Sequence, residues 1–278
     1  MKQINKYIVE RLHINKDTGN NHYNYHPKTR DELKELIGKL IEERGNEADL
    51  NDIDTSEITN MLELFYDSEF NGNISNWDVS NVKNMYSMFE GSNFNGDISN
   101  WDVSNVEDMR YMFSKSKFNV DISNWDASKV KYMNGMFAYS KFTGDISNWD
   151  VSNVERMNSM FRNSEFNGDI SDWDVSKVVN MHFMFYGSKF TGENEDISSW
   201  NVSKVKKMEG MFAFSEFNGD ISNWNVSNVN DMTSMFEESK FTGENGDISK
   251  WDVSNVKDMK YMFKGTSLEK NPPKWYKN

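Results

Sequence analysis

Four histidines, His13, His22, His26 and His182, are the chain's imidazoles. His22 and His26 stand four apart in "NHYNYH", a spacing that puts two metal ligands on one face of a helix. The surrounding Asn, Tyr and Gly make a loop the better reading of that segment. There is no cysteine, so disulfides, thiolate metal sites and cysteine nucleophiles are excluded. No HExxH, P-loop, GxSxG or GxGxxG pattern is present. A catalytic centre needs unlike groups converging on one point. The sequence is therefore read as non-enzymatic, with no cofactor and no metal.

Carboxylates are the most regular chemical groups. Asp97, Asp121, Asp145, Asp169, Asp196, Asp220 and Asp247 recur in phase, and so do Asp78, Asp102, Asp126, Asp150, Asp174 and Asp252. Oxygen-rich rows can bind Ca²⁺. The competing reading is that each Asp, in the pattern Asp-x-Ser, caps a turn. Asn replaces Asp at 73, 201 and 225, where a cap tolerates loss of charge, and this favours capping.

A third group is aromatic. Tyr111, Tyr132, Tyr139, His182, Phe183, Tyr186 and Phe214 fall where successive copies of the repeat differ. Clustered exposed aromatics commonly anchor a partner. These seven residues are the candidate binding site.

The elements that must carry them come from one phrase. "GDISNWDVSNV" at 96–106 returns around Trp77, Trp125, Trp149, Trp173, Trp200, Trp224 and Trp251. Most steps are 24 residues, and two are 27, each with three residues inserted in "FTGENEDIS" or "FTGENGDIS". A degenerate ninth copy, "DLNDIDTSEITNMLELFYDSEFNG", comes first. The alternation in "DISNWDV" predicts a short strand. Val, Met, Met and Phe at spacings of three, six and seven predict an amphipathic helix over "SNVxxMxxMF". Neither element is long enough to stand alone, so each unit must stack on the next. The expected architecture is an α/β solenoid of about nine strand–helix units, with columns such as Ile98, Trp101, Val106, Met109, Met112, Phe113 and Phe118 as its core.

The ends need covers. Residues 1–48 are read as an N-terminal cap, a strand over "KYIVERLHI" followed by an amphipathic helix over "KTRDELKELIGKLIEERG". Thr29 and Glu32 have capping-box spacing, Gly45 suits a C-cap, and Leu33, Leu36, Ile37, Leu40 and Ile41 form the apolar face. Residues 49–268 are the repeat array, and 269–278, with Trp275 and Tyr276, the C-terminal cover.

Units such as "FNGDISNWDVSNVEDMRYMF" resemble the BspA-like leucine-rich repeat family, also known from mycoplasma lipoprotein repeats. The resemblance covers about residues 49–268. It implies a right-handed leucine-rich-repeat-like solenoid, with Trp101 standing where such repeats carry a ladder asparagine. It also implies roles in adhesion and protein binding, often at cell surfaces.

The first 25 residues are charged throughout and lack the apolar core of a signal peptide. No apolar run is long enough to span a membrane. The expectation from the chain as written is a cytoplasmic protein, with a cell-surface location as the family's alternative. The net charge of −13 is concentrated in residues 49–263, which carry −17, against +1 for 1–48 and +3 for 264–278. Direct nucleic-acid binding needs Lys and Arg at phosphates, so it is not expected. The reading that results is a scaffold for protein–protein binding. Its alternatives are an acidic DNA mimic that occupies a nucleic-acid-binding protein, and an adhesin whose export signal lies outside this chain.

Overall fold

The computed structural model describes residues 23–192 and 196–277. The expected strand over "KYIVERLHI", with His13 and His22, lies outside the described residues. Among the described residues the one α-helix is α1, Arg30–Arg44, and two short 3-10 turns occupy Ile248–Lys250 and Ser267–Glu269.

Helix α1 forms where its end signals place it. The Thr29 hydroxyl accepts the Glu32 N–H at 3.3 Å, and the Glu32 carboxylate accepts the Lys28 N–H at 2.8 Å. Gly45, at φ 87°, donates to the Ile41 carbonyl, in the left-handed region that glycine enters without cost. Leu33, Leu36, Ile37 and Leu40 are buried, and Ile41 packs at the edge of the same core. Two cations of α1 reach the first repeat unit: Arg30 Nε donates to the Leu62 carbonyl at 2.9 Å and Lys34 Nζ to that of Glu63 at 2.8 Å.

The repeats contain neither of the elements expected of them. "DISNWDV" is a pair of turns rather than a strand: the Trp101 N–H returns to the Ile98 carbonyl and the Val106 N–H to that of Val103. The Val-Met-Met-Phe segment is not a helix. In residues 85–92, the N–H groups of Met85, Ser87, Phe89 and Gly91 donate to the carbonyls of Asp108, Arg110, Met112 and Ser114 in the next unit, at 2.8–3.0 Å. The N–H groups between them, of Met88, Glu90 and Ser92, return to the carbonyls three residues back. Ser87 (φ 50°) and Gly91 (φ 69°) are left-handed, giving two turns of type II character per unit. The pattern recurs at Tyr111 and Lys115, Gly135 and Tyr139, Ser159 and Asn163, Phe183 and Gly187, and Gly210 and Phe214. An α-helix would need every N–H bonded four residues back and every φ negative. A segment this short cannot nucleate alone, and donating half its N–H groups to an identical neighbour satisfies them better.

Successive units are joined by isolated parallel bridges, Asn60↔Asn84↔Asp108↔Tyr132↔Arg156↔Asn180↔Lys207↔Asp231↔Asp258. These sit just before the first Met, inside the segment expected to be helical. The core is a set of files running through the stack. Phe89 lies 5.7 Å from Phe113, Phe94 lies 6.4 Å from Phe118, and Trp125 lies 6.3 Å from Trp149, all with nearly parallel rings. Each Trp indole N–H donates to a carbonyl of the preceding unit, Trp77 to Leu50 at 2.9 Å and the later ones to Ile, as Trp101 does to Ile74 at 3.2 Å and Trp149 to Ile122 at 3.1 Å. Trp275 extends this file: its indole N–H reaches the Ile248 carbonyl at 2.9 Å, and its ring lies 6.2 Å from Trp251. Tyr276 meets Phe263 edge-on. The strand–helix reading of the unit is thus replaced by a stacked unit built of turns.

Candidate functional site

The Asp columns are occupied by the backbone. Asp97, Asp121, Asp145 and Asp169 each accept the N–H of the Ser two residues on, at 2.9 Å, and Asp78, Asp102, Asp126, Asp150 and Asp174 do the same in the second column at 2.9–3.0 Å. Asn73, Asn201 and Asn225 take the same role. At Asp97, Asp121, Asp169 and Asp247 the Ser N–H, and after it the Ser hydroxyl, holds the carboxyl below its ordinary range. At Asp126, Asp174, Asp196 and Asp252 the hydroxyl leads. The carboxylates close turns, which is chemistry that Asn can also perform. Among the described residues no group of three or more His, Asp or Glu is placed to hold a metal ion. His26 instead meets Asp54, Nδ1 to Oδ2 at 3.0 Å.

The seven aromatic candidates fall into two groups, each built around an arginine that sequence reading did not single out. In the first, the Arg110 guanidinium lies 4.9 Å from the Tyr86 ring and 5.5 Å from Tyr132, and Tyr86 meets Tyr111 edge-on. Asp108 neutralises this arginine, accepting from Nε at 2.9 Å and from Nη2 at 2.6 Å. Burial, followed by the neighbouring Tyr86, raises the Tyr111 phenol above its usual range.

In the second group, Arg162 lies 4.9 Å from the Tyr186 ring centre, 5.2 Å from Phe183 and 5.8 Å from Tyr139. Phe183 contacts both Tyr186 and His182 edge-on, and Phe214 lies 5.2 Å from Tyr186. Six residues from four successive units, Arg162 among them, thus meet on one patch. Tyr139 is 46% and Phe214 49% exposed, whereas Tyr111, Tyr132, His182, Phe183 and Tyr186 are half-buried. Burial, then the charges of Lys207 and Arg162, depresses the His182 pKa and keeps the ring neutral near pH 7.

The backbone under these rings is unusual. Tyr111 (φ 56°), Tyr139 (φ 57°), Phe183 (φ 55°), Phe214 (φ 57°) and Tyr261 (φ 60°) occupy left-handed positions that other units fill with Gly, Ser or Asn, or with the charged residues Glu63, Asp67, Lys115 and Glu238. A bulky side chain there costs roughly 1–3 kcal/mol. Two of the rings lie across a glycine of the next unit: a Cβ on Gly135 would stand 2.4 Å from Tyr111, and one on Gly210 the same distance from Phe183. Tyr261 and Tyr66, at 56% and 46% exposure, are further aromatics on the surface that sequence reading passed over. The signal for both arginines was the repeat register itself. Arg162 stands one repeat before Tyr186, and Arg110 one repeat after Tyr86.

Units that complete their hydrogen bonding only against a neighbour define a tandem-repeat protein. The chain belongs to the family described as Mycoplasma protein of unknown function, DUF285, whose family model matches residues 33–141, 115–213 and 189–277. No curated protein and no solved structure matches it. No helix among the described residues is long and apolar enough to cross a membrane.

Proposed function

We propose that this chain is a non-enzymatic repeat scaffold that binds a protein partner through the patch formed by Tyr139, Phe183, Tyr186 and Phe214. The observation that carries this reading is the placement of three of these rings, Tyr139, Phe183 and Phe214, at left-handed backbone positions. Large apolar groups are held at strained positions that Gly91, Gly135, Gly187, Gly210 and Gly265 fill without strain in other units, and two of these rings remain about half exposed. Strain of this kind collects at functional surfaces. Exposed rings gathered on one patch suit a binding anchor, where aromatic and arginine side chains carry most of the affinity.

The stack itself we read as a right-handed solenoid of the BspA-like leucine-rich-repeat kind. The parallel bridges at repeat spacing support this, as does Trp101, whose indole N–H links units as a ladder asparagine does. The acidic-mimic reading has less support, since lysines interrupt the negative surface in contact with its carboxylates, as at Lys131–Glu107 and Lys264–Glu237. An adhesin would use the same patch from outside a cell.

The test is capture of partners from the native host by immobilised protein, comparing the chain as given with Phe183→Ala/Tyr186→Ala/Phe214→Ala. A partner held by the first and lost by the second, with the tryptophan near-ultraviolet circular dichroism unchanged, is the expected result. Equal capture by both sinks the assignment of this patch.

A further inference from the structure

Arg162 differs from the other arginines that the fold constrains. Arg30 contacts Asp31, Arg44 is held by Asp52 and Arg110 by Asp108. Among the described residues Arg162 has no acceptor: it forms no ion pair or hydrogen bond, and its Nε is buried without a partner. Arg110 is the internal comparison. Both guanidiniums lie against tyrosine rings at about the same distance, 4.9 Å from Tyr86 and from Tyr186, yet only Arg110 has its fork filled by a carboxylate.

Leaving the Nε–H of a charged group buried and unpaired is unfavourable. Contact with three ring faces returns part of that, but the rings leave the in-plane N–H groups without an acceptor. What such a fork lacks is an anion. A planar guanidinium matches a carboxylate through two parallel N–H···O bonds, and the same fork can hold a phosphate. Charge decides between them. The body around the site, residues 49–263, carries −17, so a dianion or polyanion is repelled, whereas one carboxylate brings a single charge to a single unpaired cation. The rings on either side offer apolar contact to whatever flanks that charge.

We propose that Arg162 is the receptor for a carboxylate of the protein partner, an Asp or Glu side chain or a C-terminus. Tyr139, Phe183, Tyr186 and Phe214 take the apolar side chain next to it. The partner is then recognised by one carboxylate beside one large apolar group, and its remaining surface is neutral or basic to suit the acidic body. This inference rests on the binding role proposed above for the same rings.

The experiment is a nuclear magnetic resonance titration of the ¹⁵N-labelled chain. It reads the Arg162 Nε–H signal, assigned by its disappearance in Arg162→Gln. The probes are N-acetyl-phenylalanine, its uncharged amide and inorganic phosphate. A saturable shift with the carboxylate is expected, with the amide and phosphate weaker by at least about tenfold. Arg162→Lys, read at the backbone amide signals of the surrounding residues, should lose most of the carboxylate response, because an ammonium cannot form the paired contact. Equal response to the amide, no saturable response, or a shift of the surrounding signals that persists in Arg162→Gln overturns the proposal. A stronger response to phosphate overturns the carboxylate assignment. Partner capture separates the two readings. If the triple ring variant loses a partner that Arg162→Gln retains, the rings bind but the carboxylate rule fails. If the carboxylate titrates as expected while the triple ring variant captures every partner, the rings' role in protein binding fails instead.

Discussion

Tyr139 shows what a single residue contributes here. Its backbone is left-handed, its ring is half exposed, and the equivalent position one unit on is Asn163. Tyr139→Asn should relieve about 1 kcal/mol of strain and so leave the melting temperature unchanged or slightly raised, while weakening partner binding. Thermal circular dichroism beside a binding assay checks both halves, and a large loss of stability would mean that the ring is structural. Gly135 is the converse case. Gly135→Ala places a methyl against the Tyr111 ring at φ 61°, and a loss of roughly 1–3 kcal/mol is expected in denaturant titrations. Part of that loss should return when Tyr111→Ser is added. The capping carboxylates set the response to acid. At Asp97, Asp121, Asp126, Asp169, Asp174, Asp196, Asp247 and Asp252 the folded pKa is depressed, so the contribution of these groups is present above the ordinary carboxylate range and disappears as pH falls through the lowered values. Stability should therefore hold from neutrality down to about pH 4 and decline below it. Asp121→Asn with Asp126→Asn should flatten that decline without unfolding the chain, because Asn already fills the role at 201 and 225. Much of this scale was legible beforehand. The Asp-x-Ser pattern with its Asn substitutions pointed to turn caps, and copy-to-copy variation pointed to the aromatic residues. The arginines between them were not, since each becomes conspicuous only once the repeat register brings it beneath a tyrosine of a neighbouring unit.

At the scale of the element, α1 was written in its ends and the repeats were not. Thr29, Glu32 and Gly45 fix a helix by hydrogen bonds that sequence spacing specifies, and they do so in the structure. The Val-Met-Met-Phe spacing specified less. A turn that closes on its fourth residue also brings the chain back to one face about every three residues, so Val106, Met109 and Met112 would be buried by either backbone. The choice is made by the neighbouring unit, which offers acceptors to alternate N–H groups, and no local window contains that information. The Trp file carries a prediction of its own. Trp149→Phe keeps a ring in the stack but removes one of the Ile122 carbonyl's two donors, the other being the Trp125 N–H at 3.1 Å. A loss of about 0.5–1.5 kcal/mol is expected, read as a lower denaturation midpoint. A cost near zero would show that ring stacking alone joins the units.

For the molecule as a whole, length should be adjustable in steps of one repeat. Deleting residues 133–156 joins Tyr132 to Met157 in phase, and a cooperative protein with a melting temperature a few degrees lower is expected. Deleting 133–144 breaks the register and should abolish the ordered tryptophan signal. The direction of the hydrogen bonds between units has an electrical consequence. In each turn segment the N–H groups that leave a unit aim toward the C-terminal end, while two flanking columns, such as Glu107 N–H to the Lys83 carbonyl and Asn93 N–H to that of Ser68, run the other way. Peptide dipoles aligned in this way add, as they do along a helix axis. Four columns against two leave a net dipole, negative at the first unit and positive at the last. The residues at each pole match it. Arg30 and Lys34 contact the carbonyls of Leu62 and Glu63 at one end, and Glu269 accepts the Gly265 N–H at the other. A unit added in reverse would set donor against donor, so the array is vectorial and its two ends must be sealed by opposite charges.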